Sequence, residues 1–194
     1  LGCIPKKLLV YASHFRAELE DARAGYGWSV GEPVFDWATL IANKDREIAR
    51  LNEVYGRLLD TAGVTRIAGR ATLVDAHTVA VGDRCYSARH ILLATGSRPF
   101  LPPEVEGIEH AISSDQAFHL ARLPRRILIV GGGYIAVGFA GILHGLGCEV
   151  TQIYRGPLFL RGFDDDVRRH LAEQIRAQGI DLRFDLVPRR IEKT

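Results

Sequence analysis

The sequence predicts an α/β chain in two successive parts, helices with a small β-sheet first and a truncated parallel-sheet unit second. Three observations predict it. Up to about Gly63 apolar residues recur at helical spacing, from there to Ala94 they fall into short strand-like runs, and from Arg126 strand and helix patterns alternate. With 194 residues, 47% of them apolar, the chain is long enough for one large or two small cores. A net charge of +2 creates no broad basic field, so neither nucleic acid nor an anionic membrane is an expected partner. No apolar run reaches bilayer length and no signal-peptide pattern opens the chain. Three cysteines, Cys3, Cys85 and Cys148, make no disulfide framework, which leads to an expected cytoplasmic location. The chain lacks methionine and begins Leu-Gly-Cys, so an internal piece of a longer protein is expected.

The first helix follows Leu1-Gly-Cys-Ile-Pro-Lys-Lys, with Pro5 suited to its first turn. Cys3 then sits at a helix N-terminus beside Lys6 and Lys7, where positive potential favours a thiolate; packing as a small hydrophobe is the alternative. A turn-rich stretch from Gly25 to Pro33 leads to a second helix over about Phe35–Ala62, with Asp36 as N-cap and Gly63 as stop. Tyr55 reads as a packing residue of its apolar stripe. Strands are expected at Thr65–Ala68, Ala71–Val74, Thr78–Val81 and His90–Ala94. The last ends in Thr95-Gly96, which suits either close backbone approach to a ligand or a simple strand exit. Leu101-Pro-Pro-Glu104 reads as a rigid connector, within a linking stretch over 101–125.

From Arg126 the sequence becomes Rossmann-like. A strand over Ile127–Val130 runs into Gly131-Gly-Gly133 and a helix over about Tyr134–Leu146, which Gly147 ends. Gly131 allows the tight turn, Gly133 close approach to a pyrophosphate, and Ala136 close helix packing. After the next strand, Glu149–Tyr154, Arg155 stands near where an acidic residue would bind the ribose of NAD, and Arg161 follows. Two guanidiniums suit a 2′-phosphate, so NADPH is expected over NADH; the alternative is that both solvate a loop. Asp164, Asp165 and Asp166 open a helix that runs to Gln178, where capping explains them better than metal binding. A third parallel strand is expected over Ile180–Phe184.

Gly2-Cys-Ile-Pro-Lys-Lys-Leu-Leu-Val-Tyr-Ala-Ser13, Leu93-Ala-Thr-Gly96, Gly131-Gly-Gly-Tyr-Ile-Ala-Val137 and the Arg155 to Arg161 segment together resemble the glutathione reductases among the flavin-dependent pyridine nucleotide-disulfide oxidoreductases. The resemblance covers essentially the whole chain. It implies part of an FAD-binding domain over 1–100, a connector over 101–125 and part of an NADPH-binding domain over 126–194. It implies FAD and NADPH as cofactors, glutathione disulfide as substrate and a homodimer at full length. Cys3 matches the redox cysteine nearer the flavin and Lys6 the lysine beside the flavin ring. Ala71, Thr95 and Gly96 match FAD-site residues, and Tyr55 matches a tyrosine of the glutathione site. Gly133, Tyr134, Ile135, Arg155 and Arg161 match the NADPH site, with Tyr134 gating the nicotinamide pocket.

Three departures go with it. The first redox cysteine and the flavin's glycine loop would fall upstream of Leu1, and the acid-base histidine downstream, so the stretch alone is expected to be inactive and marginally stable. Cys85 and Cys148 match nothing in the redox motif and are expected to be structural. Gly138 stands where the family carries a glutamate that pairs with the lysine matched by Lys6. The alternatives are another flavin disulfide reductase, of the dihydrolipoamide dehydrogenase or mercuric reductase kind, and a non-catalytic nucleotide-binding remnant.

Overall fold

A computed structural model describes residues 2–193; Leu1 and Thr194, outer limits of the two expected domains, lie outside the described residues. The elements run α1 (Cys3–Gly25), α2 (Trp37–Thr61), β1 (Ala71–Leu73), β2 (Thr78–Val81), β3 (Arg84–Ser87), a 3-10 turn (Ile108–His110), α3 (Ser114–Ala117), β4 (Arg126–Val130), α4 (Tyr134–Gly145), β5 (Glu149–Ile153), α5 (Asp165–Ala177) and β6 (Asp181–Arg183). The mixed α/β class expected from the sequence is the one observed. The chain divides into two compact units, one of residues up to Arg46 with those from Pro99 onward, the other Glu47–Arg98.

In the larger unit β4, β5 and β6 form a parallel sheet in that order. Helices α4 and α5 make the crossovers between its strands that parallel neighbours require. One core gathers Ala140 and Leu143 of α4, Cys148, Val150 of β5, Phe159, Leu160, Ala172 and Ile175 of α5, and Leu182 of β6. A second joins Leu9 of α1, Trp37, Phe118 and the opposite side of α4 through Phe139, Ile142 and Leu146. Helix α4 thus buries two faces, which explains why its sequence is apolar nearly all round. Small residues let α1 come close to it: a Cβ on Gly145 would lie 2.9 Å from Ser13.

The expected connector does more than link. Ser113 and Gln116 form a reciprocal capping box around α3, Phe118 meets Phe139 edge to face at 5.1 Å, and the Trp37 indole donates to the Leu120 carbonyl at 2.7 Å. The caps read from sequence also form. Ala38 N–H and the Thr39 hydroxyl donate to Asp36, whose carboxyl they hold below the usual range. Asp164 accepts from Asp166 and Val167, so the aspartate run is a helix start.

The smaller unit holds the antiparallel meander β1-β2-β3. Two expected strands are absent from it. Thr65–Ala68 precedes Ala71, which already pairs with Val81, the last residue of β2 before Gly82 turns the chain, so earlier residues have no partner strand opposite. His90–Ala94 is also unpaired, with Leu92 and Leu93 89% and 66% exposed, because no described strand runs beside it. β3, which the sequence reading passes over, pairs instead with β2 through Gly82-Asp83, its alternation hidden by polar Arg84 and Ser87.

Of the cysteines, Cys148 is 3% exposed, whereas Cys85 lies exposed on β3. Burial pushes the Cys148 thiol from 9.0 up to about 11. A raised folded value means that its contribution to stability is complete below pH 9 and is lost as pH climbs toward 11. Peptide mapping after alkylation at pH 8 is expected to find Cys3 and Cys85 modified in the native chain, and Cys148 only in denaturant.

Candidate functional site: a glycine turn between two strand ends

Parallel pairing in register from Arg126 opposite Glu149 to Val130 opposite Ile153 brings the ends of β4 and β5 side by side. The chain then turns at Gly131, whose φ of 145° and N–H bond to the Ile153 carbonyl tie the turn to β5. A Cβ on Gly131 would sit 3.2 Å from that of Ala136, so helix and turn meet as closely as glycine and alanine permit. Gly133 is the N-cap of α4, in extended conformation and without a side-chain cap. Nothing lies within 4 Å of where its Cβ would be. The first turn of α4 therefore starts beside open space and without a side-chain acceptor, an arrangement suited to an anion at a helix N-terminus.

Four residues that build this turn escape the sequence reading. Gln152 of β5 is 0% exposed and donates from Nε2 to the Gly131 carbonyl at 2.9 Å. The Tyr154 ring lies where a Cβ on Gly132 would fall, about 2.5 Å away, so the middle glycine is needed too. Leu160, in the left-handed region at φ 55°, donates its N–H to the Gly132 carbonyl at 2.6 Å. That bond folds the β5–α5 loop back onto the glycine turn. Arg168 of α5 secures the same loop, donating from Nε to Phe159 O and from Nη2 to Leu158 O, both at 2.7 Å, and pairing with Asp165. Only a buried glutamine in a strand, and an arginine one turn into α5, mark these roles in the letters.

Arg155 follows Tyr154, and Arg161 follows Leu160, so both arginines leave the two residues that touch Gly132, and both are exposed. Tyr134 and Ile135 are 66% and 44% exposed at the mouth of α4. On α1, Cys3 is the first helical residue and exposed, and Lys6 donates to the Tyr134 carbonyl at 3.2 Å. The structure thus brings Lys6 to Tyr134 and gathers Gly131, Gly133, Ile135 and Ala136 at one turn, with Arg155 and Arg161 on the loop folded against it.

The other candidates belong to the smaller unit. Ala71 opens β1, Thr95 and exposed Gly96 follow the unpaired run, and Gly96 has φ 74° with open space beside it. That suits a backbone approached closely by a ligand. Tyr55 on α2 is 47% exposed, with Leu58 and Leu59 also exposed, so the packing role read from the stripe is corrected. Its first turns pack on a core through Trp37, Leu40 and Ile41.

Fold and turn together define an α/β protein with an uncapped helix end at a glycine turn and a thiol on a neighbouring helix. The family model described as "Pyridine nucleotide-disulphide oxidoreductase" matches residues 1–194. Glutathione reductase of Nostoc sp. (strain PCC 7120 / SAG 25.82 / UTEX 2576) is 51% identical over 179 residues, 92% of this chain and 39% of that protein. The chloroplastic/mitochondrial glutathione reductase of Pisum sativum is 49% identical over 99% of this chain and 35% of its own. Among solved structures, the Cu(II) complex of the HOCl-induced flavoprotein disulfide reductase RclA from Escherichia coli superposes with a TM-score of 0.80 at 27% identity, covering 100% of this chain and 41% of that one. The chain belongs to the pyridine nucleotide-disulphide oxidoreductase family. It spans about two fifths of the length of the curated relatives it matches.

Replacing Arg168 with alanine is expected to leave the Leu158 and Phe159 carbonyls short of donors and to lower unfolding free energy by about 1–3 kcal/mol in urea. Amide exchange at Leu160 is expected to quicken in the same variant.

Proposed function

We propose that this chain is the middle of an NADPH-dependent glutathione-disulfide reductase. Residues 1–100 contribute part of its FAD-binding domain, 101–125 the connector and 126–194 part of its NADPH-binding domain. The observation that carries the reading is the Leu160 to Gly132 hydrogen bond, which folds the loop bearing Arg155 and Arg161 against an uncapped glycine turn. Identity of about half to glutathione reductases across nearly the whole chain supports the choice of substrate.

In this reading the first-turn N–H groups of α4 hold the pyrophosphate of NADPH, and Arg155 and Arg161 hold its 2′-phosphate. Tyr134 covers the entrance beside them and Ile135 lines it. Gly131 and Ala136 keep helix and strand close enough for that contact. FAD, when bound, supplies two-electron transfer between NADPH and a cysteine disulfide. Ala71, Thr95 and Gly96 hold FAD, and Lys6 lies on its ring side. Cys3 is one cysteine of the redox pair, exposed at the first residue of α1. Tyr55 contacts glutathione disulfide. A homodimeric, cytoplasmic enzyme belongs to the same reading; among the described residues no helix is long and apolar enough to cross a membrane.

The whole-chain likeness to a flavoprotein disulfide reductase of lower identity favours a second reading, a related reductase acting on another disulfide. Turnover by the protein with its flanking sequence decides between them. NADPH oxidation driven by glutathione disulfide is expected, with NADH and lipoamide disulfide much poorer; NADPH oxidation only with another disulfide establishes the second reading. Arg155→Ala and Arg161→Ala are each expected to raise KM for NADPH about 10–100-fold while leaving KM for NADH nearly unchanged. Equal effects on both nucleotides would remove the arginines from the 2′-phosphate.

A further inference from the structure

Gly138 is an unfavourable residue for its position. It lies inside α4, where glycine is disfavoured relative to alanine, and no positive φ requires it. Space explains it. A Cβ built on Gly138 would fall on the terminal carbon and ammonium of Lys6, which reaches across from α1.

The Lys6 ammonium has a defined task in that seat. It donates to the Tyr134 carbonyl at 3.2 Å and lies 5.8 Å from the centroid of the Tyr134 ring, within reach of a cation–π contact. Tyr134 is the first residue of α4, and in a regular helix its carbonyl already accepts from the N–H of Gly138. Lys6 uses the second lone pair of that oxygen. The neighbouring Lys7 is not a substitute, since its ammonium lies over Tyr11 instead, at 5.6 Å.

We propose that Lys6 is a positioning residue that locks the first turn of α4 to the thiol-bearing turn of α1, and that the absent side chain of Gly138 is the socket for its ammonium. The lock holds both backbone and ring of Tyr134, and so sets the aim of the N–H groups that follow Gly133. Its consequence for nucleotide affinity rests on the NADPH reading above; the lock itself does not.

A double-mutant cycle tests it, with Lys6→Ala, Gly138→Ala and the pair together, measured by thermal melting and by fluorescence titration with NADPH. In the parent protein Gly138→Ala expels the ammonium, so the helix-propensity gain is offset, the melting midpoint stays level or falls, and NADPH affinity drops several-fold. With Lys6 already replaced by alanine, the same Gly138→Ala change raises the midpoint and leaves affinity where Lys6→Ala put it. Lys6→Met keeps the aliphatic stem without the charge and is expected to lose affinity as Lys6→Ala does while melting closer to the parent. Additive effects in both measurements, with Gly138→Ala raising the midpoint equally in either background, would overturn the lock. Failure of the parent to bind NADPH would overturn the nucleotide reading and the affinity consequence, while the melting cycle still decides the lock.

Discussion

The close approach of α4 to the end of β5 is the constraint on which the larger unit depends. Three successive glycines serve it in different ways: Gly131 turns back with a positive φ and meets Ala136, Gly132 leaves room for the Tyr154 ring, and Gly133 leaves the helix end open. A side chain at either of the first two would push the helix away or displace Tyr154. The turn is held from beneath by Gln152 and from the loop side by Leu160, each bonded to a glycine carbonyl. Pairing offsets most of the cost of burying these carbonyls, while Gln152 Oε1 is buried without a partner among the described residues.

Packing carries this local arrangement outward. α4 is gripped through its middle and C-terminal half by the parallel sheet on one side and by α1, Trp37 and Phe118 on the other. The same geometry brings α1, with Cys3 at its start, against the helix that follows the glycine turn. The exposed Cys3 thiol and the open end of α4 are thereby tied through two packed helices rather than through a flexible loop.

Much of this was legible in the letters where the signal is local. The glycine spacing, the caps at Asp36 and Asp164, and the alternation of strand and helix after Arg126 each act within a few residues, and each forms as read. What was not legible depends on distant partners. Thr65–Ala68 and His90–Ala94 have strand-like letters, yet a strand exists only when another runs beside it. β3 looks polar but has a partner. Tyr55 sits on an apolar stripe whose second half meets no described core. Gln152, Leu160 and Arg168 matter through carbonyls that sequence spacing does not bring together.

In the proposed enzyme one turn, with the loop folded onto it, receives the phosphates of NADPH. The most direct measurement is the perturbation of backbone amide resonances during titration with NADPH. Saturable shifts concentrated at 131–136 and 154–161 are expected, with smaller shifts at those loop positions for NADH. Shifts that fail to saturate, or that fall elsewhere while the glycine turn stays unchanged, would contradict it.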